Sequence, residues 1–193
     1  MIRKLIAGLA VTCVLCFTGT ALAAGPAEEP ETSQETDYTV EVSVEDITAV
    51  MEQLGEYETE MDMLAQLVYA EARGVNSKAE QAAVMWCVLN RYDAGYWGDS
   101  IPRIIKSRSQ FAYSSGLPVK DGFRDLAQDV IIRWLLEKRG ITEVGRVLPS
   151  NYCYFAGRNG HNWFRKGYRS DDYWDWSLPD PYEAPAVSLV PAA

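Results

Sequence analysis

The chain has 193 residues and a single histidine, His161. That scarcity excludes mechanisms that need two imidazoles, among them the two-His zinc peptidase motif and three-His zinc sites. Positive charge is also scarce: 18 Lys and Arg face 27 Asp and Glu, a formal charge of −9, which argues against a general nucleic-acid binder. No internal repeat is present. Long apolar runs are lacking except at the very start, so the rest is expected to be soluble.

The first residues read as an address. Arg3 and Lys4 precede an apolar run from Leu5 to Phe17, and Ala21-Leu22-Ala23 is a small-x-small cleavage site. This is the pattern of a secretory signal peptide, residues 1–23. The run has 13 residues, too few to cross a bilayer, so no membrane anchor is expected after cleavage. Neither Cys13 nor Cys16 follows the small residue that lipidation requires, and both leave with the leader. The mature chain is expected to begin at Ala24, outside the cell.

Charge is unevenly distributed over what remains. Ala24 to Asp62 holds 13 acidic residues and no Lys or Arg, whereas Met63 to Ala193 has 16 basic and 14 acidic residues. Residues 24–59 therefore read as an acidic linker. Within it, Pro26 to Asp37 is too polar to bury a core and is expected to be a self-repelling spacer. After Ser43, the spacing of Ile47, Val50, Met51 and Leu54 predicts a short helix with Gly55 as its stop.

Residues 60–183 form the expected functional body, and 184–193 a Pro-rich tail. Met61, Leu64, Leu67, Val68 and Ala72 recur every three or four residues, predicting a helix that ends at Arg73-Gly74. Ser77 and Glu80 make a capping box, opening a helix that is apolar all round from Ala82 to Leu89 and is closed by Asn90 and Arg91 near Tyr92. A short stretch carries Ile101, Ile104 and Ile105. Phe123, Leu126, Ala127, Val130, Trp134 and Leu135 mark another helix, stopped by Gly140. Two short aromatic strands around a Gly/Asn turn follow, from Tyr152 to Phe164. The fold class is thus α+β, a mainly helical body with a small antiparallel β element.

Glu71 is the sharpest candidate for chemistry. It lies seven residues after Leu64, four after Leu67 and three after Val68, above an apolar stripe. A carboxylate there must be paired, protonated or used, and burial favours the protonated form that a general acid needs. The alternative is a helix-end pair with Arg73. Cys87 and Cys153 read as small core residues, able to bond to each other in a secreted protein, rather than as nucleophiles. His161, in the turn, reads as a ligand hydrogen-bonder or turn stabiliser rather than a base. Asp171, Asp172 and Asp175 lack EF-hand spacing and read as a solvated loop. The aromatics between Tyr152 and Trp176 divide between core packing and flat faces suited to sugar rings.

Four segments together carry a resemblance: Leu64–Gly74 (LAQLVYAEARG), Gln81–Arg91 (QAAVMWCVLNR), Arg108–Tyr113 (RSQFAY) and Tyr152–Ala156 (YCYFA). They resemble the SleB/CwlJ-type cell-wall hydrolases, over roughly Met61 to Phe164. Where that family commonly has an acidic residue after the Gly, this chain has Val75. The resemblance implies a lysozyme-like body that cleaves peptidoglycan between N-acetylmuramic acid and N-acetylglucosamine, with Glu71 matching the family's catalytic acid. Members studied as lytic transglycosylases form a 1,6-anhydro product, which one carboxylate can manage because the sugar's own 6-hydroxyl attacks. Ordinary glycosidases use two. In that scheme Glu71 acts as acid and then as base, with no cofactor or metal. Phe111, Tyr113, Tyr154, His161 and Trp163 are expected to line the glycan groove of a monomer whose partner is peptidoglycan. The alternatives are a wall amidase or peptidase, and a non-catalytic peptidoglycan-binding protein.

Overall fold

Ser43 decides where the first helix begins. Its hydroxyl accepts the Asp46 N–H at 3.0 Å, satisfying one of the unpaired donors of the first turn. The computed structural model describes residues 41–141, 143–183 and 190–191. The leader, the spacer 26–37 and the tail apart from Val190–Pro191 lie outside them.

Helix α1 (Val44–Leu54) buries Val50 and Leu54 and leaves Met51 51% exposed. Gly55 does not stop the chain by turning left-handed. It keeps a right-handed helical conformation, and one 3-10 turn, Gly55–Tyr57, leads straight into α2 (Glu58–Ala72). In α2 Met61, Leu64, Leu67, Val68 and Ala72 are all buried, as their spacing predicts. Helix α3 (Lys78–Ala94) is the centre of the body: every residue from Ala82 to Arg91 is buried. It does not close at Asn90 and Arg91 but runs on to Ala94, where Gly95 takes φ +76° and donates its N–H to the Tyr92 carbonyl. Arg91 still falls in the last turn, where a cation is expected, but its side chain is buried.

Helix α4 (Ile101–Lys106) buries all three of its isoleucines. Helix α5 (Asp121–Lys138) packs along α2 and also meets α1 and α3. Arg139 at its end pairs with Asp46 of α1 at 2.8 Å. Since α1 contributes Val50 and Leu54 to the common core, the packed body begins upstream of residue 60.

Strands β2 (Tyr154–Arg158) and β3 (His161–Arg165) form an antiparallel hairpin with Arg158 opposite His161. A further short strand, β1 (Glu41–Val42), pairs in parallel with β4 (Val190–Pro191). The hairpin loop is only Asn159-Gly160, both with positive φ (55° and 78°), the pattern of a type I′ turn. This places His161 at the first position of β3 rather than in the turn. The architecture is mainly helical with a small antiparallel sheet, as expected for the α+β class.

Nothing lies within 4 Å of a Cβ added at Gly160, so a side chain there meets a conformational cost alone. Gly160→Ala is expected to lower stability by about 1–2 kcal/mol, the left-handed penalty of an L-residue. Urea titration checks this through a lower midpoint at unchanged slope. Equal midpoints would mean that the loop does not need its left-handed geometry.

Candidate active site

Glu71 stands in the last turn of α2 because helical spacing puts it beside the buried Leu64, Leu67 and Val68, at the edge of their stripe. Its side chain is half-buried. Arg73 does not pair with it: that guanidinium folds back on the carbonyls of Tyr69 (3.1 Å) and Ala70 (3.4 Å) and over the Tyr69 ring. Instead, Glu71 Oε1 accepts the N–H of Ala112 at 2.5 Å. Among the described residues no other group binds this carboxylate, so Oε2 stays available to a ligand.

The loop that supplies the Ala112 N–H is held from two sides. Gln66, also on α2, donates to the Leu117 carbonyl at 2.7 Å and accepts the Tyr113 hydroxyl at 3.0 Å. From α3, the buried Arg91 donates Nε to the Cys153 carbonyl at 2.7 Å and Nη1 to Gln110 Oε1 at 3.1 Å. Its guanidinium also lies over the Phe111 ring, 4.6 Å from the centroid, with Trp97 and Tyr154 completing an aromatic box. The neighbouring Asn90 donates to the Pro149 and Tyr152 carbonyls and accepts from Arg146. One turn of α3 thus fastens both the 108–113 loop and the entry to the hairpin.

On its other side Glu71 faces the hairpin. A cleft of about 330 Å³ is lined by Glu71, Ala72, Gly74, Val75 and the hairpin residues 157–162. Asn162, buried beneath, donates Nδ2 to the Glu71 carbonyl at 3.4 Å and its backbone N–H to Glu80 Oε1 at 2.5 Å. Glu80 Oε2 lies 3.1 Å from His161 Nδ1. Ser77 does cap α3, accepting the Glu80 N–H. The Glu80 side chain, however, crosses to β3 rather than closing a capping box.

Glu80 is the functional candidate that spacing should have exposed. It sits three, four and seven residues before Ala83, Val84 and Cys87, the mirror image of the pattern that singled out Glu71. The capping-box match masked it.

Of the five expected groove residues, only His161 lines the Glu71 cleft. Phe111 and Tyr113 border a separate hollow with residues 105–109 and are engaged by Arg91 and Gln66. Tyr154 packs edge-on against Trp97 and Tyr168. These three brace the loop and hairpin. Trp163 shares the outward face of β3 with His161, is 44% exposed, and stands edge-on to Tyr173.

Cys87 and Cys153 are both free and buried. Burial pushes the Cys87 thiol up to about 12 and raises that of Cys153, so neither supplies a thiolate near neutral pH. Asp171, Asp172 and Asp175 are exposed; Asp172 pairs with Lys166 and Asp175 accepts the Ser177 N–H.

A larger hollow, about 890 Å³, opens between α2, α5 and Tyr182, away from Glu71. Its Asp129 is already held by Arg133 (2.7 Å) and by the Tyr182 hydroxyl (2.9 Å). Volume alone is a poor guide here; the smaller cleft is where an available carboxylate and an imidazole meet. No protein-family model, curated protein or solved structure matches the chain.

Proposed function

We propose that the protein is a secreted peptidoglycan glycosidase, most plainly a lytic transglycosylase acting between N-acetylmuramic acid and N-acetylglucosamine. The observation that carries this reading is Glu71: a carboxylate at a cleft, oriented by the Ala112 N–H and not paired with Arg73. Protonated, it delivers a proton to the glycosidic oxygen; a hydroxyl then captures the sugar carbon left behind. Support also comes from the four segments of the resemblance, since Leu64–Gly74 meets Arg108–Tyr113 through Glu71, and Gln81–Arg91 meets Tyr152–Ala156 through Arg91.

Chain charge favours the same substrate. The residues from Met63 onward carry 16 basic and 14 acidic groups, so a wall polymer with its own anionic groups is not repelled by them. The buried, protonated thiols oppose a Cys/His peptidase.

Mass spectrometry of fragments released from purified peptidoglycan by residues 24–193 is the test. Anhydro-muramic ends are expected. Reducing ends would replace transglycosylation by hydrolysis, free stem peptides would mean an amidase, and binding without release would leave a carbohydrate-binding protein.

A further inference from the structure

The cleft holds a second ionisable constellation that a one-carboxylate scheme leaves idle. The Glu80 side chain is 6% exposed, and its one ionisable side-chain partner among the described residues is His161, which is 66% exposed. A carboxylate taken out of water has to be compensated by donors, and the Asn162 N–H and the His161 ring serve as them. With Nδ1–H directed at Glu80, the ring keeps its lone pair on Nε2. His161 borders both the Glu71 cleft and an adjoining hollow lined by Trp176, Leu178 and Asp180.

We propose that Glu80 positions His161 as the base of the glycan cleavage described above, relieving Glu71 of the second half of its work. The proposal rests on that reading. Glu71 gives its proton to the glycosidic oxygen, and the C1–O bond breaks with its electron pair going to the departing N-acetylglucosamine. The 6-hydroxyl oxygen of the muramic residue forms the new bond to C1, and its proton passes to His161 Nε2. Glu80 then faces an imidazolium and stabilises it. Loss of that proton to water and re-protonation of Glu71 from water restore the starting state. The arrangement follows the general logic of a buried carboxylate that selects the tautomer of a histidine base.

His161→Ala tests the base directly, because the side chain is exposed and the hairpin pairs through its backbone. The expected result is a fall in kcat on the order of 10²-fold with KM little changed. Free imidazole in the buffer is expected to restore much of the rate, which a purely structural histidine would not allow. In Glu80→Gln the amide oxygen still accepts the Asn162 N–H, but its NH2 must donate to Nδ1, moving the ring proton to Nε2. A similar loss is expected there, without imidazole rescue.

Wild-type kcat in His161→Ala, or a loss that imidazole does not touch, overturns the proposal. Glu71→Gln run in parallel separates the two levels. If that variant stays active, the glycosidase reading itself falls; if it is inactive while His161→Ala matches wild type, only the base assignment falls.

Discussion

Replacing Glu71 by Gln is expected to reduce release of peptidoglycan fragments by on the order of 10³-fold, within the range attributed to general acid–base catalysis. The substitution keeps the shape and the acceptor for the Ala112 N–H, so the 2.5 Å contact that orients the side chain is retained. What it removes is the acidic proton. Folding stability should change by no more than about 0.5 kcal/mol, because the side chain is half-buried and has no ionic partner to lose among the described residues. A melting curve beside the rate measurement therefore distinguishes lost chemistry from lost structure. Glu71→Asp sharpens the test: it keeps the acid but withdraws the carboxyl by one methylene from Ala112. A displacement of that size can cost about 10²-fold by mispositioning alone. Unchanged activity in Glu71→Gln would end the proposed function.

The second large effect is expected from Arg91, which touches no ligand in this scheme. Arg91→Ala deletes the bonds to the Cys153 carbonyl and Gln110, and empties the space between Phe111, Trp97 and Tyr154. Hydrogen bonds from a charged donor contribute about 1.5–3 kcal/mol each, and a desolvated cation–π contact up to about 2. Because such contributions overlap, a net loss of about 3–4 kcal/mol is expected, or roughly 10 °C in Tm for a body of this size. Thermal unfolding checks the value. Arg91→Lys should recover only part of it, since an ammonium cannot serve both acceptors with the fixed fork of a guanidinium and is more strongly hydrated. At temperatures where the variant remains folded, fragment release should still be reduced, because the 108–113 loop that aims the Ala112 N–H at Glu71 has lost one of its two tethers and is held by Gln66 alone. A melting temperature within a few degrees of wild type would show that the loop and the hairpin entry are held by other contacts.

Both effects descend from short-range and long-range features that differ in how far a sequence displays them. The helices of the body follow from local rules. The stripe through α2, the Ser77 cap and the glycine after α5 act within a few residues, so spacing alone predicts them, whereas the end of α3 falls at Gly95, beyond the Asn90-Arg91 close that the sequence suggests. The hairpin is equally local, since Asn159-Gly160 supplies the two left-handed residues that a two-residue loop demands. Glu71 stood out because its surroundings on one helix can be counted.

What the sequence by itself determined, then, is the mainly helical α+β fold class, its helices and turn, and one carboxylate at the end of α2. Tertiary structure alone decided the partners. Glu80 and Asn162 lie 82 residues apart, and Arg91 and Cys153 lie 62 apart. No local pattern shows that a helix-start Glu reaches a strand, or that an Arg near a helix end is buried beneath aromatic rings. The aromatics divide for the same reason: Phe111 and Tyr154 close on Arg91 only after α3 and the hairpin have packed, whereas Trp163 is left outside by its alternation along β3. Even the lone histidine changed meaning, because a carboxylate from another element now holds its ring. A side chain's chemistry is set by what surrounds it in space, and the chain order reveals those surroundings only when they come from the same helix or turn.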